Sequence, residues 1–218
     1  MRPLAFIDLE TTGLDPARHE ILEIGVIRVD ARTLTELDST DVRVCPTRLA
    51  DADPEALRRN GYSPRRWEDA ASLPEALDWV APLLVGATLA GHNVGFDRAF
   101  LEVAWRATGG PPPDLDHHLL DTATLAWPLL AEGRIDSLSL IAVCTALGIG
   151  LHDPHRALSD AERSLEIARQ LLPGARARVL RTGRGEQKSG CRCPEVASGR
   201  PCGVSTSESS WRCGHGRA

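Results

Sequence analysis

Leu4-Ala5-Phe6-Ile7-Asp8-Leu9-Glu10-Thr11-Thr12-Gly13-Leu14 is the stretch that decides how this chain folds. Apolar residues fill positions 4–7 and 9, and acids interrupt them at 8 and 10. Side chains of a strand alternate between its two faces, so Asp8 and Glu10 share one face while Ile7 and Leu9 enter a core on the other. Two acids on one face of a hydrophobic strand repel each other and resist desolvation. For an arbitrary Asp-x-Glu the plain reading is a polar strand end in water. Here an apolar run precedes the pair and a tight Thr-Thr-Gly turn follows it, which puts both carboxylates at the mouth of a cleft. A hard divalent cation relieves such crowding, because Mg²⁺ prefers carboxylate and water oxygens.

Working outward from this strand, Ile21 to Val29 reads as a second strand, and a third is expected from about Thr40 to Cys45. Turns between them make an antiparallel meander. Pro54 to Asn60 has the composition of a short helix, with Pro at its start and Gly61 behind it. Leu73, Leu77, Val80 and Leu84 give a helical period over 73–84. Residues 79–96 carry no charge, yet Pro82, Gly86, Gly91, His92 and Asn93 interrupt them. A buried helix end and then a buried strand at 87–91 fit this stretch better than a membrane span. A helix over 96–107, a strand near Leu119 and Leu120, and helices over 123–131, 138–147 and 159–172 complete the pattern. Three strands followed by alternating helices and strands imply an α/β fold with a mixed five-stranded sheet flanked by helices.

Two later segments carry chemistry. In Gly91-His92-Asn93-Val94-Gly95-Phe96-Asp97 a strand ends and Asp97 falls in the first turn of a helix, where the helix dipole favours an acid in any case. In His155-Arg156-Ala157-Leu158-Ser159-Asp160 the histidine closes a polar loop and Asp160 lies one turn into the last helix. Alone, Asp97 is a helix-start acid, His155 a loop residue and Asp160 an ordinary helix acid. An imidazole of ordinary pKa, ~6.5, suits a general base near neutral pH.

Taken together, Asp8-x-Glu10 with Thr11-Thr12-Gly13-Leu14, then His92-Asn93-x-x-Phe96-Asp97, then His155 and Asp160, resemble the DEDDh exonucleases. These belong to the ribonuclease-H-like superfamily and include the epsilon proofreading subunit of bacterial replicative polymerase. The resemblance runs over about residues 4–172 and takes in Asp121-Thr122 and the Asp136-Ser137-Leu138 helix start. It implies a ribonuclease-H-like sheet and a two-metal 3'-5' exonuclease releasing nucleoside 5'-monophosphates. It implies Asp8, Glu10 and Asp160 as direct ligands of two Mg²⁺ or Mn²⁺ ions, with Asp8 bridging them and Asp97 bound directly or through water. It implies His155 as the base that takes a proton from the attacking water. A sister subfamily carries Tyr in that place, but the single tyrosine, Tyr62, lies far upstream of Asp160. The resemblance also offers Thr11, Thr12, Leu14, His92 and Phe96 as substrate contacts, although core packing is the simpler role for Phe96. Asn93 is expected to tether the loop before Asp97.

Leu9-Glu10-Thr11-Thr12-Gly13 matches the epsilon-like wording rather than the oligoribonuclease form, which has Met after Glu. Single-stranded or frayed DNA is therefore the favoured substrate, with an exoribonuclease or oligonucleotide-degrading enzyme as the alternative. A non-catalytic polymerase-associated module would be expected to have lost a metal-binding acid, and none is lost. A polymerase subunit is a candidate partner. No sliding-clamp-binding peptide is legible after Leu172.

Charge divides the chain. Residues 1–173 hold 16 arginines against 27 acids, whereas 174–218 hold 9 basic residues against 3 acids. An acidic body is a poor platform for a polyanion unless bound cations reverse its local sign. We read 1–173 as the exonuclease domain and 174–218 as a basic tail, disordered because little but Val179, Leu180 and Trp211 in it can be buried. Cys191, Cys193, Cys202, Cys213 and His215 offer a zinc set, but their spacing matches no known ribbon or finger, and a flexible basic tail is the simpler reading. No signal peptide or membrane span is legible, so the cytoplasm is the expected compartment and Cys45 and Cys144 the expected core thiols.

Overall fold

The computed structural model describes residues 1–151 and 155–172. The basic tail and its cysteines lie outside the described residues. Five strands form one sheet in the order β3-β2-β1-β4-β5. They are β1 (Leu4–Thr11), β2 (Ile21–Val29), β3 (Glu36–Arg43), β4 (Thr88–Gly91) and β5 (Leu119–Asp121). β1 lies at the centre, antiparallel to β2 and parallel to β4; β2 and β3 are antiparallel, and β4 and β5 parallel. This is the mixed five-stranded sheet expected from the sequence.

Alternation along β1 builds both layers. Ala5, Ile7 and Leu9 join Ile24, Val26 and Val42 under α2 (Leu73–Leu84) and α3 (Val94–Thr108). On the opposite face Phe6, Ile27, Val29 and Ala90 receive Ala161, Leu165 and Ala168 of α7 (Ala157–Leu171). A third apolar cluster joins α5 (Trp127–Ala131), α6 (Leu140–Leu147) and Ile167 of α7. The two remaining α-helices among the described residues are α1 (Pro54–Arg59), whose first turn Asp53 caps, and α4 (Thr122–Leu125). Among the described residues no helix is long and apolar enough to cross a membrane.

Three of the departures from the sequence reading have a clear local cause. β3 begins earlier and ends earlier, because as an edge strand it is held by its ladder to β2 and shows little hydrophobic alternation. The helix expected over 123–131 is two short ones, since Pro128 cannot donate a backbone hydrogen bond to the turn before it. The helix expected from Leu138 starts at Leu140, where the Ser139 hydroxyl accepts the backbone N–H of Ala142 at 3.3 Å.

Candidate active site

The site lies where β1 leaves the sheet. A register shift between Glu10 and Thr11 ends the regular ladder just after the acidic pair. Glu10 is buried, and Asp8 keeps some contact with solvent. The chain then enters a loop fixed at several points. The Thr11 hydroxyl donates to Gly13 O at 2.7 Å, and the Thr12 hydroxyl accepts the Glu20 N–H at 2.9 Å. From outside the loop, buried Asn60 donates its amide to Thr11 O at 2.9 Å, and the Asp53 N–H donates to Thr12 O at 2.7 Å. Both threonine hydroxyls are therefore engaged within the loop, while Leu14 is 81% exposed at its tip.

Asp97 reaches the pair from α3. Its Oδ1 accepts the backbone N–H of Leu9 at 2.9 Å, the amide lying between Asp8 and Glu10 along the strand. The entry to α3 is a left-handed Asn93 (φ 64°), whose backbone N–H donates to Asp121 Oδ1 at 2.9 Å. Asn93 thus tethers this loop as expected, through its backbone. Both ring nitrogens of His92 are taken: Nδ1 faces Thr122 Oγ1 at 2.9 Å and Nε2 faces Leu138 O at 2.7 Å. Burial lowers the pKa of this imidazole. Phe96 packs beside the core, 4.8 Å from the Phe100 ring.

Asp160 arrives from the first turn of α7. Donor atoms of Glu10, His155 and Asp160 lie within 4.8 Å of one another. Asp8 and Asp97 adjoin this trio and act on it through charge. Burial raises the Asp8 carboxyl well above the usual range, and Asp97, Asp160 and Glu10 raise it further by repulsion. Burial is also the first cause pushing Glu10 up to about 8, followed by repulsion from Asp160 and Glu23. Asp97 is raised by burial against the opposing hydrogen bond from Leu9, and Asp160 by burial against the opposing charge of Arg163. Four acids from three distant segments therefore gather in one place, at a cost to their ionisation. The donor set is all carboxylate oxygen plus one imidazole, which suits hard divalent cations. Buried Arg163 pairs with Asp160 through its Oδ1.

All five residues expected to carry chemistry, Asp8, Glu10, Asp97, His155 and Asp160, meet here. Of the expected substrate contacts, Leu14 is exposed, Thr11 and Thr12 shape the loop, and His92 and Phe96 are held by neighbouring structure. The sequence reading missed three charged groups: Glu23, Arg156 and Arg163. Glu23 faces Glu10 across the β1–β2 ladder. A lone acid inside Ile21-Leu22-Glu23-Ile24 was the available signal, since a charge is seldom buried without a partner. Asp116, His117 and His118 form a second donor group, exposed on the loop before β5 at the opposite end of the parallel strands.

Comparisons with known proteins agree with this fold. The polymerase "DNA polymerase III PolC-type" of Thermotoga maritima is 30% identical over 161 residues, which are 74% of this chain and 11% of the polymerase. Among solved structures, exonuclease I of E. coli with a dA16 oligonucleotide superimposes with a TM-score of 0.66 at 18% identity, over 83% of this chain and 43% of that one. A 3'-exonuclease described as recognising the histone mRNA stem-loop superimposes with a TM-score of 0.64 at 20% identity, over 80% of this chain and 65% of that one. The family described as RNase_T, Exonuclease matches residues 5–168, from the first strand into the last helix. A sheet of this order, with acids gathered at the end of its central strand and a family match across the whole of it, places the chain in the RNase_T exonuclease family.

Proposed function

We propose that the chain is a metal-dependent 3'-5' exonuclease that hydrolyses phosphodiester bonds at the 3' ends of single-stranded or frayed DNA and releases nucleoside 5'-monophosphates. The observation that carries this reading is the gathering of Asp8, Glu10, Asp97 and Asp160 beside His155, with every one of the four carboxyls raised in pKa. Structure that serves stability alone seldom gathers four acids whose ionisation burial opposes, with Asp8 repelled by the other three. Asp8, Glu10 and Asp160 would hold two Mg²⁺ or Mn²⁺ ions, with Asp97 binding directly or through water. Bound there, the ions would supply the positive charge that activates water and stabilises the departing 3' oxygen.

The chain's own side chains supply the rest. His155 accepts the proton of the attacking water as the new P–O bond forms. The hydrogen bond from Leu9 N–H to Asp97 ties the third carboxylate to the strand carrying the first two, so the acids are placed before substrate arrives. The loop over 11–20, pinned by Asn60 and Asp53, carries Leu14 exposed at its tip, where it would offer an apolar surface to a terminal base.

DNA is preferred over RNA on the wording of the first motif, and the PolC-type relative supports a polymerase as partner. The fold itself is seen with both nucleic acids among its structural neighbours, so substrate choice needs direct measurement. The deciding assay follows end-labelled single-stranded DNA and RNA of equal sequence, with Mg²⁺ or Mn²⁺, with and without chelator, for wild type and Asp8→Ala. Mononucleotides should be released from the 3' end of the DNA strand, and chelator or Asp8→Ala should abolish release. Activity surviving Asp8→Ala would overturn the ligand assignment, and faster turnover of RNA would move the enzyme to the exoribonuclease alternative.

A further inference from the structure

His155 stands at a junction whose attachment to the sheet runs through the next residue. Its φ of 62° is left-handed, a conformation non-glycine residues rarely adopt unless the surroundings impose it. Arg156 follows in extended conformation, and α7 begins at Ala157. The Arg156 guanidinium reaches back to two strands: Nε donates to Glu23 Oε1 at 2.8 Å and Nη2 to Asp41 Oδ2 at 3.1 Å. Glu23 is 1% exposed, and a carboxylate so placed is tolerated only with a partner. Arg43 lies across from Glu23 in the ladder, but its Nη1 donates to Arg66 O instead, so Arg156 is the cation that answers Glu23.

The same spot is where α7 presses on the sheet. A Cβ on Gly25 would lie 2.2 Å from Leu158 N and 2.3 Å from Ala157 C, so backbone meets backbone at the helix start. Gly25 is two residues from Glu23 and pairs directly with Asp41. The two anchors of Arg156 therefore flank the contact point, one along β2 and one across to β3. Held in this way, the start of α7 can neither slide along the sheet nor lift from it without breaking a charge-assisted bond.

We propose that Arg156, bridging Glu23 and Asp41, is the positioning residue for His155. It holds the imidazole against Glu10 and Asp160 and touches neither substrate nor reacting atoms. The inference rests on the general-base reading of His155 given above. Misplacing a proton acceptor by an ångström costs turnover while leaving binding intact.

The test is a double-mutant cycle on the full chain, using end-labelled single-stranded DNA at saturating Mg²⁺ and following stability in parallel. Arg156→Gln should lower kcat about tenfold or more, with KM and the half-saturating Mg²⁺ concentration within about twofold of wild type. Asp41→Asn, which leaves the Glu23 bond intact, should lower kcat by about two- to fivefold. In a His155→Ala background Arg156→Gln should change the rate less than about twofold, because its effect passes through the imidazole. An equal loss in both backgrounds overturns the proposal. So does a loss confined to KM, which would mean a contact with substrate phosphate, or a loss restored by added Mg²⁺, which would place the effect on Glu10. If Arg156→Gln does not fold, the cycle of Asp41→Asn with His155→Ala decides in the same terms. Wild-type turnover by His155→Ala alone would instead strike the general-base reading, a failure visible before Arg156 is changed.

Discussion

Glu10 allows the electrostatic basis of the site to be measured without any assay of cleavage. Its carboxyl is pushed up to about 8 from an ordinary 4.5, first by burial and then by Asp160 and Glu23. Between those values the folded protein holds a proton that the unfolded chain releases, so stability falls as pH rises through the window. Linkage gives a cost from Glu10 of about 0.8 kcal/mol at pH 5 and about 3.3 kcal/mol at pH 7, a change of about 2.5 kcal/mol. Side-chain relaxation and water entry into the metal-free pocket reduce this, so about 1–3 kcal/mol is the expected change. His92, whose imidazole is lowered by burial, acts with the opposite sign but is common to wild type and variant. The experiment is therefore a comparison of Glu10→Gln with wild type by denaturant unfolding in chelator at pH 5 and pH 7. Wild type should lose stability relative to the variant as pH rises, and Mg²⁺ or Mn²⁺ should restore wild type but not Glu10→Gln. Parallel pH profiles for the two proteins, or equal stabilisation of both by metal, would refute the claim that crowded acids await a cation.

Other perturbations read separate parts of the structure. Gly25→Ala places a methyl group on the backbone at Leu158 and should cost about 1–3 kcal/mol, together with most turnover, since α7 carries Asp160; unfolding and kinetics on one sample check both. Asn60→Ala removes the donor to Thr11 O, and the buried carbonyl left unpaired should cost about 1–3 kcal/mol. If that loop seats the terminal nucleotide, the same variant raises KM more than it lowers kcat, which steady-state assays on single-stranded DNA will reveal.

What was legible in the sequence depended on whether a residue acts within its own period or across the chain. β2 and α2 have the bounds expected from their apolar spacing. The gathering of Asp8, Glu10, Asp97, His155 and Asp160 could be anticipated because each belongs to a short local motif. β3 was misplaced because its exposed edge offers no hydrophobic alternation, only ladder bonds to β2. Arg156 looked like a neighbour of His155 and nothing more, since its partners Glu23 and Asp41 lie 133 and 115 residues away. The bond from Leu9 to Asp97 spans 88 residues and is likewise invisible to any window of sequence. Local order marks the candidate groups; contacts that close the chain on itself fix where they sit.

The order of the elements along the chain also sets a timetable. The central strand with its two acids is made first, and the last helix, bearing Asp160 and following His155, is made after every strand. Until that helix emerges and covers Phe6, Ile27 and Ala90, a growing polypeptide exposes a greasy flank and lacks one of its carboxylates and its imidazole. The acidic cluster is thus left open through synthesis and is completed only by the element that also closes the fold.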